Sequence, residues 1–325
     1  MKRFLGILSI LALYLPLQAQ NDIADAAQDI LFISQEYIEP GANAATMMSR
    51  GGWYISGKTL DKWQVDVAIG GNVLYVPSSQ QSFTVNQSDL KFFEIETGEA
   101  SVEIPTSLGG KDDLQFLGKR PILNQDIKFT AYEGVDRDFV VYPYLQAAVG
   151  VPLDTQVTLR YTPGFEIDKL TYQAYGVGIQ HQVSRYFSAL EEKNLYLSLL
   201  ATYSRFDFDV SLSTTLDDAE NFKITKSLTD ADSYSFQLVA SKHLEQFDLL
   251  AAVSYSTSST TNLFEADPVI LEDALNAFAS DAEIDATTIQ ADLGFNWRID
   301  QFTVKSEFSF GSFLNYNLGL HYTIN

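Results

Sequence analysis

The stretch TIQADLGFNWRIDQFTVKSEFSFGSFLNYNLGLHYTIN, residues 288–325, decides the fold class. Apolar and polar residues alternate in three segments of it, separated by short breaks at residues 299–301 and 311–313. Successive residues of a β-strand point to opposite faces, so each segment has one apolar and one polar face. The apolar faces comprise Ile289, Ala291, Leu293, Phe295 and Trp297, then Phe302, Val304, Phe308 and Phe310, then Leu314, Tyr316, Leu318, Leu320, Tyr322 and Ile324. The pattern predicts three consecutive strands.

This alternation has two explanations, which differ in the side that faces solvent. In a soluble antiparallel sheet the apolar face is the protein core. In an outer-membrane barrel the apolar face contacts lipid, and the polar face lines the lumen. The choice between them depends on the rest of the chain.

The N-terminus carries an export signal. Met1, Lys2 and Arg3 form a positive start, and residues 4–17 are mostly apolar but shorter than the roughly 20 residues of a spanning helix. Small and polar residues follow, with Ala19 suited to be the last residue before cleavage. Residues 1–20 therefore read as a signal peptide, with an N-terminal membrane anchor as the alternative. The absence of cysteine excludes a lipid-modified N-terminus and any disulfide.

Composition narrows the class further. After residue 20 no apolar run reaches the length of a membrane helix, so an integral membrane protein could only be a barrel. The mean hydropathy of -0.04 is expected when lipid-facing and lumen-facing residues alternate, because averages over a window cancel. The net charge of -21 argues against nucleic-acid binding, which needs a basic surface.

Residues 21–62 differ from the rest of the chain. Ile23, Ala26, Ile30, Ile33 and Tyr37 recur at helical spacing, so we predict a helix over residues 21–39 that ends at Pro40 and Gly41. The Gly-rich residues 41–58 suit a segment that inserts into the fold. Two arrangements stay open for residues 21–62: a helix packed under a sheet, or a plug inside a lumen.

Alternation resumes at Trp63 and continues along the chain. The candidate strands before the C-terminal three are residues 63–75, 139–151, 156–167, 170–183, 194–210, 233–242 and 247–255. Several are nine residues or longer, which matches a tilted span of a bilayer. Residues 78–137 contain shorter apolar runs and at least one expected hairpin, which either joins the wall or stands above it.

The connections alternate in length. Short ones lie at residues 152–155, 244–246 and 299–301, and a modest one at residues 184–193. Long ones lie at residues 78–137, 211–232 and 256–286, the last with a predicted helix over residues 268–279. Short turns on one side and long loops on the outer side are typical of outer-membrane barrels. We therefore predict an all-β, antiparallel transmembrane barrel over residues 63–325, with twelve strands and with ten or fourteen as alternatives.

Several motifs support a resemblance to a known family. They are Gly51-Gly52-Trp53-Tyr54, then IGGNVLYVP at residues 69–77, YPYLQAAVGVPLDTQVTLRYTP at residues 142–163 and YGVGIQHQVSRYF at residues 175–187. Together they resemble an uncharacterised family of predicted outer-membrane β-barrels of Bacteroidota-type bacteria. A small-residue N-terminal segment before a barrel is also similar in architecture to the long-chain fatty-acid transport porins, whose N-terminus plugs the lumen. The second resemblance implies transport of a hydrophobic compound.

Seven charged residues fall in phase with polar neighbours and are therefore expected to face the lumen: Asp66, Arg160, Asp248, Asp292, Arg298, Lys305 and Glu307. A lipid-facing Arg or Lys near the midplane would cost roughly 2–4 kcal/mol. One interpretation is a selectivity constriction or substrate track. The other is a set of paired charges that fills and rigidifies a narrow barrel.

No motif predicts catalysis, a cofactor or a metal site. His181, His243 and His321 lie near the short-turn ends of strands, without zinc-binding spacing. The sequence has no G-x-S-x-G elbow, although Ser184 is close to His181 in the chain.

We therefore expect a channel or passive transporter in the outer membrane of a Gram-negative cell, passing a small solute, which could be hydrophobic, without covalent chemistry. The expected partners are outer-membrane lipid and the barrel-assembly machinery, and nucleic acid is not expected. The alternatives are a structural or surface-interaction barrel, a lipase-type barrel enzyme and a soluble exported β-sandwich.

Overall fold

The computed structural model describes residues 17–122, 125–167, 170–215, 223–267, 269–279 and 284–324. The predicted signal peptide lies outside these residues except for its last four, which belong to the first helix. The helices are α1 (Leu17–Arg50), α2 (Ser188–Glu191) and α3 (Val269–Ala279). The strands are β1 (Val65–Tyr75), β2 (Ser82–Asn86), β3 (Phe93–Ile95), β4 (Ser101–Pro105), β5 (Gln115–Gly118), β6 (Lys128–Thr130), β7 (Phe139–Val151), β8 (Thr155–Ile167), β9 (Leu170–Gln182), β10 (Leu195–Thr215), β11 (Lys223–Leu244), β12 (Phe247–Asp267), β13 (Ile284–Ile299), β14 (Phe302–Phe310) and β15 (Leu314–Ile324).

A closed antiparallel barrel forms the main body of the molecule. Its wall consists of β1 and β7–β15, each paired with its neighbours, and β1 closes the sheet against β15 from Val65↔Ile324 to Tyr75↔Leu314. The predicted barrel is confirmed, but the preferred count of twelve strands is wrong, because the described wall has ten. The described part of residues 78–137 adds no strand to the wall. Their strands pair among themselves, as β2–β4 and as β3–β5–β6.

The outer face of the wall is apolar. Ile69, Leu199, Phe236 and Ile289 are each more than half exposed, and all lie in the outward phase. Aromatic pairs close both ends of this band: Phe247–Trp297 (6.4 Å between ring centres) and Phe302–Tyr322 (5.0 Å) at the short-turn end, and Tyr75–Phe139 (5.7 Å) and Tyr203–Tyr234 (5.2 Å) at the long-loop end. The strand has nine residues from Phe247 to Tyr255. A tilted strand needs roughly 9–11 residues to span the apolar core of a bilayer, so this length fits such a span.

Two of the predicted long loops are largely strand. The sequence predicts loops at residues 211–232 and 256–286, whereas β10 extends to Thr215, β11 starts at Lys223 and β12 reaches Asp267. These extensions lie above the aromatic band, where the outward face no longer needs apolar residues. Arg205 there faces outward and pairs with Asp230 at 2.9 Å, while Phe206 and Phe208 are buried on the inward face, so the apolar-outward pattern of a lipid-facing strand is reversed. The helix α3 lies where the sequence predicts one, over residues 268–279.

We define the cap as residues 76–138, which stand above the long-loop end of the barrel. The first half of α1 packs against it. The carboxylate of Asp29 accepts hydrogen bonds from the backbone N–H groups of Lys91 (2.8 Å), Phe92 (2.8 Å) and Phe93 (2.9 Å). The ring of Tyr37 lies 4.9 Å from that of Tyr132. Burial of these aromatic and aliphatic side chains joins α1, α3 and the cap sheets in one hydrophobic core.

The helix α1 does not end where the sequence predicts. It continues through Pro40 to Arg50, although an interior proline lacks the N–H that would bond the preceding turn. Ala42, Ala45 and Met47 beyond the proline are all buried. Tertiary packing of this second half offsets the lost hydrogen bond, so the helix passes the proline. Among the described residues, none of the helices has both the length and the apolar character needed to cross a membrane.

Candidate functional site: the plugged lumen

The chain passes through the barrel from one end to the other before β1 begins. The second half of α1 enters at the long-loop end, and Trp63 N–H bonds Gly150 O at 2.8 Å beside the short turn after β7. We define the plug as residues 46–60, the last turn of α1 and the irregular segment after it. The helix α1 starts under the cap sheets, and the plug that follows contacts inward-facing side chains of the wall.

Wall side chains bind the plug mainly through its backbone. Carbonyl groups of the plug accept from Asn72 (Met48 O, 3.1 Å), Arg160 (Ser49 O, 3.3 Å, and Gly51 O, 2.8 Å), Gln146 (Trp53 O, 3.4 Å), Lys305 (Tyr54 O, 2.5 Å), Asn296 (Ile55 O) and Gln180 (Ser56 O, 2.7 Å). Plug N–H groups donate to Glu307 (from Gly52, 3.0 Å), Ser241 (from Gly57, 2.9 Å), Gln182 (from Thr59, 3.1 Å) and Gln156 (from Leu60, 3.2 Å). These partners come from strands around the whole barrel, so the plug is hydrogen-bonded on every side.

Trp53 is the most tightly enclosed side chain of the plug. It is fully buried, and its indole N–H donates to Ser49 O at 2.6 Å. The Arg160 guanidinium lies 4.3 Å from the centre of the Trp53 ring and 4.0 Å from that of Tyr144. Gln146 Oε1 accepts from Arg160 Nε at 3.1 Å and from Nη2 at 2.8 Å. Two cation–π contacts and this fork of hydrogen bonds fix the guanidinium in one orientation.

Glycines of β9 make room for the Trp53 ring. A Cβ atom on Gly176 or Gly178 would lie 3.0 Å from a ring carbon of Trp53, which is tighter than most real Cβ contacts. Next to the ring, β10–β12 carry a buried apolar patch that packs on Trp53 and Tyr54. The patch consists of Leu200, Val239, Leu250 and Ala252. Trp53 therefore sits in a flat slot, with glycine backbone, an apolar patch and a cation around it.

The charged group at Tyr54 lies on β13 and β14. Lys305 Nζ is 2.8 Å from Glu307 Oε2 and 4.0 Å from the centre of the Tyr54 ring. Asp292, on the adjacent strand, accepts from Gln290 Nε2 at 2.6 Å. All of these carboxylate and ammonium groups are buried, so the pairing offsets part of their desolvation.

Gly52 fits a position that other residues resist. Its φ of +83° lies in the left-handed region, and a Cβ there would meet the Tyr144 hydroxyl and both amide atoms of Asn317. Asn317 in turn donates to Asn72 Oδ1 at 3.0 Å. An asparagine network on β1 and β15 therefore holds the plug where α1 ends.

A second charged group lies at the short-turn end. His321 Nδ1 is 2.8 Å from Asp66 Oδ1, and His243 Nδ1 is 2.8 Å from Asp248 Oδ1. Arg298 Nη2 lies 2.9 Å from His243 Nε2. The third histidine, His181, has Thr155 Oγ1 2.9 Å from its Nδ1. In the part of the chain that the structure describes, acidic and histidine side chains form no group of three or more able to hold a metal ion.

The seven charged residues singled out from the sequence lie on the inward face, in two groups. Arg160, Lys305 and Glu307 contact the plug directly, and Asp292 lies beside them. Asp66, Asp248 and Arg298 belong to the short-turn end. Their role as a constriction or a substrate track stays a prediction. Sequence reasoning did not identify the polar plug partners Asn72, Gln146, Gln180 and Asn296, although alternation places each of them inward.

Comparisons with solved structures return barrel proteins with low sequence identity. The translocator domain of the autotransporter NalP from Neisseria meningitidis has a TM-score of 0.35 and 8% identity, covering 87% of this chain and 92% of that one. The outer membrane protease OmpT from Escherichia coli has a TM-score of 0.33 and 12% identity, covering 83% and 100%. An outer membrane channel from Pseudomonas putida F1 has a TM-score of 0.33 and 8% identity, covering 84% and 98%.

No curated protein sequence matches the chain. Residues 1–324, nearly the whole sequence, match one family profile. The chain thus belongs to the family described as "Family of unknown function (DUF6588)".

Proposed function

We propose that this chain is an outer-membrane channel that passes a small solute by binding and diffusion, without covalent chemistry, and that the plug is its gate. The cap and long loops face outward, and the short turns face the periplasm. The apolar outer band with aromatic pairs at both ends supports a lipid-embedded barrel. Outer-membrane lipid and, during insertion, the barrel-assembly machinery are then its partners.

One observation supports the proposal that the plug is a gate. The wall binds the plug through backbone carbonyl and N–H groups, and these are bonds that water or a polar solute can replace. Replacing a protein–protein hydrogen bond by bonds to water changes the free energy by only about 0.5–1.5 kcal/mol. Gly51, Gly52 and Gly57 also make the plug costly to order. Water can therefore replace the wall contacts of the plug backbone in steps, whereas Trp53 and Tyr54 also pack on the apolar patch of β10–β12 and must leave it when the plug moves.

We call α1 and the plug together the N-terminal arm, residues 17–60. The first half of α1 anchors this arm to the cap. The bonds of Asp29 to the cap and the aromatic packing at Tyr37 hold the first half of α1 outside the lumen. Movement of the plug therefore does not require α1 to leave the cap.

A reversible disulfide lock tests the gate, and the cysteine-free chain makes the experiment clean. The hydroxyl oxygens of Ser56 and Ser241 are 2.9 Å apart, so Ser56→Cys with Ser241→Cys places two thiols within bonding reach. A second lock, Thr46→Cys with Ser258→Cys, uses a pair of hydroxyls 3.4 Å apart at the other end of the plug. We expect single-channel currents of the purified protein in planar bilayers to vanish on oxidation and to return with a thiol reductant.

The matched controls are the four single-cysteine variants, whose currents should not respond to oxidant. A heat-modifiability gel checks that each variant is a folded barrel. Equal currents from the oxidised and reduced double variants would contradict the proposal that the plug is a gate.

The second candidate is a closed barrel that presents the cap as an interaction surface. It is favoured by the filling of the described lumen by plug and wall side chains. In that case the wild-type protein would show no solute-dependent current, and neither lock would change any property measured across the bilayer.

A further inference from the structure

We infer that the slot now filled by Trp53 is the solute site, and that the solute is an aromatic carboxylate: a flat ring carrying one acidic group. This inference rests on the proposed gate, because the slot becomes free only when the plug moves. The plug then acts as an internal stand-in for the ligand.

The shape of the slot fits a planar ring. Gly176 and Gly178 present bare backbone to the Trp53 ring, and a Cβ at either position would press on it. Leu200 and Val239 belong to the apolar patch beside the ring. A flat ring that enters after Trp53 leaves would again bury apolar surface against this patch and the glycine backbone. A bulky saturated ring has no flat face to lay on the glycine strand.

The charge of the slot selects an anion. Arg160 Nη1 donates only to neutral carbonyl oxygens of the plug, Ser49 O and Gly51 O. A carboxylate is a stronger acceptor for a guanidinium, because both partners are charged and two parallel bonds can form. Lys305 likewise donates to the Tyr54 carbonyl and would be released by plug movement, although it stays paired with Glu307. An amine at the ring would instead face the Arg160 guanidinium, which has no carboxylate among its hydrogen-bond acceptors.

Trp53 itself reports on the site. The chain has three tryptophans, and Trp63 and Trp297 are exposed on the outer face, so Trp63→Phe with Trp297→Phe leaves Trp53 as the only emitter. Four probes are compared on this protein in detergent: benzoate, cyclohexanecarboxylate, benzyl alcohol and benzylamine. We expect benzoate to shift Trp53 emission to longer wavelength as the indole moves into water. Its half-saturating concentration should be at least tenfold lower than those of the other three probes.

Arg160→Gln should raise the half-saturating benzoate concentration at least tenfold. The matched control is Arg185→Gln, which removes a cation that pairs with Asp154 outside the lumen and should leave the benzoate response unchanged. If Arg160→Gln fails the heat-modifiability check, the comparison of the four probes on the protein with Arg160 in place tests the inference without the variant.

The outcomes separate this inference from the gate. Lock-sensitive currents with equal responses to all four probes, or with none, would overturn the aromatic carboxylate and leave the gate standing. A benzoate-selective shift in a barrel without lock-sensitive current would overturn the gate and leave the slot as a binding site. Selectivity together with lock-sensitive current supports both.

Discussion

The two halves of the N-terminal arm are held by different forces. The first half of α1 shares a hydrophobic core with the cap, where Phe92, Phe93 and Phe129 are fully buried. The backbone of the plug is held by polar wall side chains such as Asn72 and Gln180, and only Trp53 and Tyr54 pack on a small apolar patch of the wall. Hydrophobic burial is non-directional and is lost in one step, whereas separate hydrogen bonds can be exchanged with water one at a time. The comparison teaches that one continuous arm can be both anchor and gate.

The largest expected effect comes from the anchor. Phe129→Ala removes a buried ring that packs 5.1 Å from Tyr132 and 6.0 Å from Phe116. We expect the cap to lose about 3–5 kcal/mol of stability. Limited proteolysis of residues 76–138 along a urea titration measures this loss. The barrel should keep its heat-modifiable migration, and simultaneous loss of barrel and cap would show that the two are not separate in stability.

Asp29→Ala addresses the polar contact within the anchor. The substitution leaves three backbone N–H groups without the carboxylate that they now bond. Each buried N–H group without a hydrogen-bond partner costs about 1–3 kcal/mol. We expect hydrogen exchange at residues 91–93 to speed up at least a hundredfold. Asp25→Ala is the matched control on the same helix, because that carboxylate is exposed and its ion pair with Arg120 spans 3.8 Å. An equal acceleration in both variants would refute the special role of Asp29.

Gly52→Ala tests the plug. The left-handed φ and the contacts with Tyr144 and Asn317 should weaken its seating by about 1–3 kcal/mol. Acrylamide should then quench Trp53 more strongly in the background that lacks Trp63 and Trp297. Gly98→Ala is the control, since Gly98 also has a positive φ, +71°, but a Cβ there meets no atom within 4 Å. Unchanged quenching in Gly52→Ala would indicate a rigidly seated plug.

The smallest effect is a pH dependence of the anchor. Burial, together with the neighbouring Tyr132, raises the pKa of Tyr37 well above its usual value, and burial does the same for the pKa of Tyr132. The unfolded cap ionises these tyrosines near pH 10 and the folded cap does not, so their stabilisation is complete below about pH 10 and falls above it. The fall is at most about 1.4 kcal/mol per pH unit for each tyrosine.

Urea titrations of the cap between pH 9 and pH 11 measure that slope. The double variant Tyr37→Phe with Tyr132→Phe should show a shallower decline than the wild type. The same slope in both proteins would assign the pH dependence to other groups.

Much of the wall was predictable, because a barrel with an apolar outer face and a polar inner face forces an alternation that a sequence displays directly. Ile289 to Trp297 and Leu314 to Ile324 have the inward and outward phases expected of them. Prediction failed where that constraint ends. Above the aromatic band buried and exposed residues of β10–β12 still alternate, but the outward ones become mostly polar. The cap sheets, with strands as short as Phe93–Ile95, gave no clear indication of whether they join the wall.

The site was predictable only in part. Alternation places Arg160, Lys305 and Glu307 inward, but it says nothing about what they meet. Arg160 contacts Ser49 and Gly51 because the arm turns back through the barrel, and no local pattern encodes that path. The continuation of α1 past Pro40 likewise depends on burial by distant residues. The sequence signals of the plug were its glycines and Trp53.

The N-terminal arm passes through the closed barrel, so the chain is threaded through its own sheet. Its sheet closes between β1 and β15, strands from opposite ends of the barrel sequence, and that seam joins Val65 to Ile324. Pairing residues so distant along the chain costs more loop-closure entropy than pairing near neighbours. We therefore expect this pairing late in folding. If the seam forms last, the wall wraps around an arm already in place, and no chain end has to be pulled through a finished ring. Seam closure then becomes the irreversible event of assembly, and a barrel that closes before its arm is seated would stay empty.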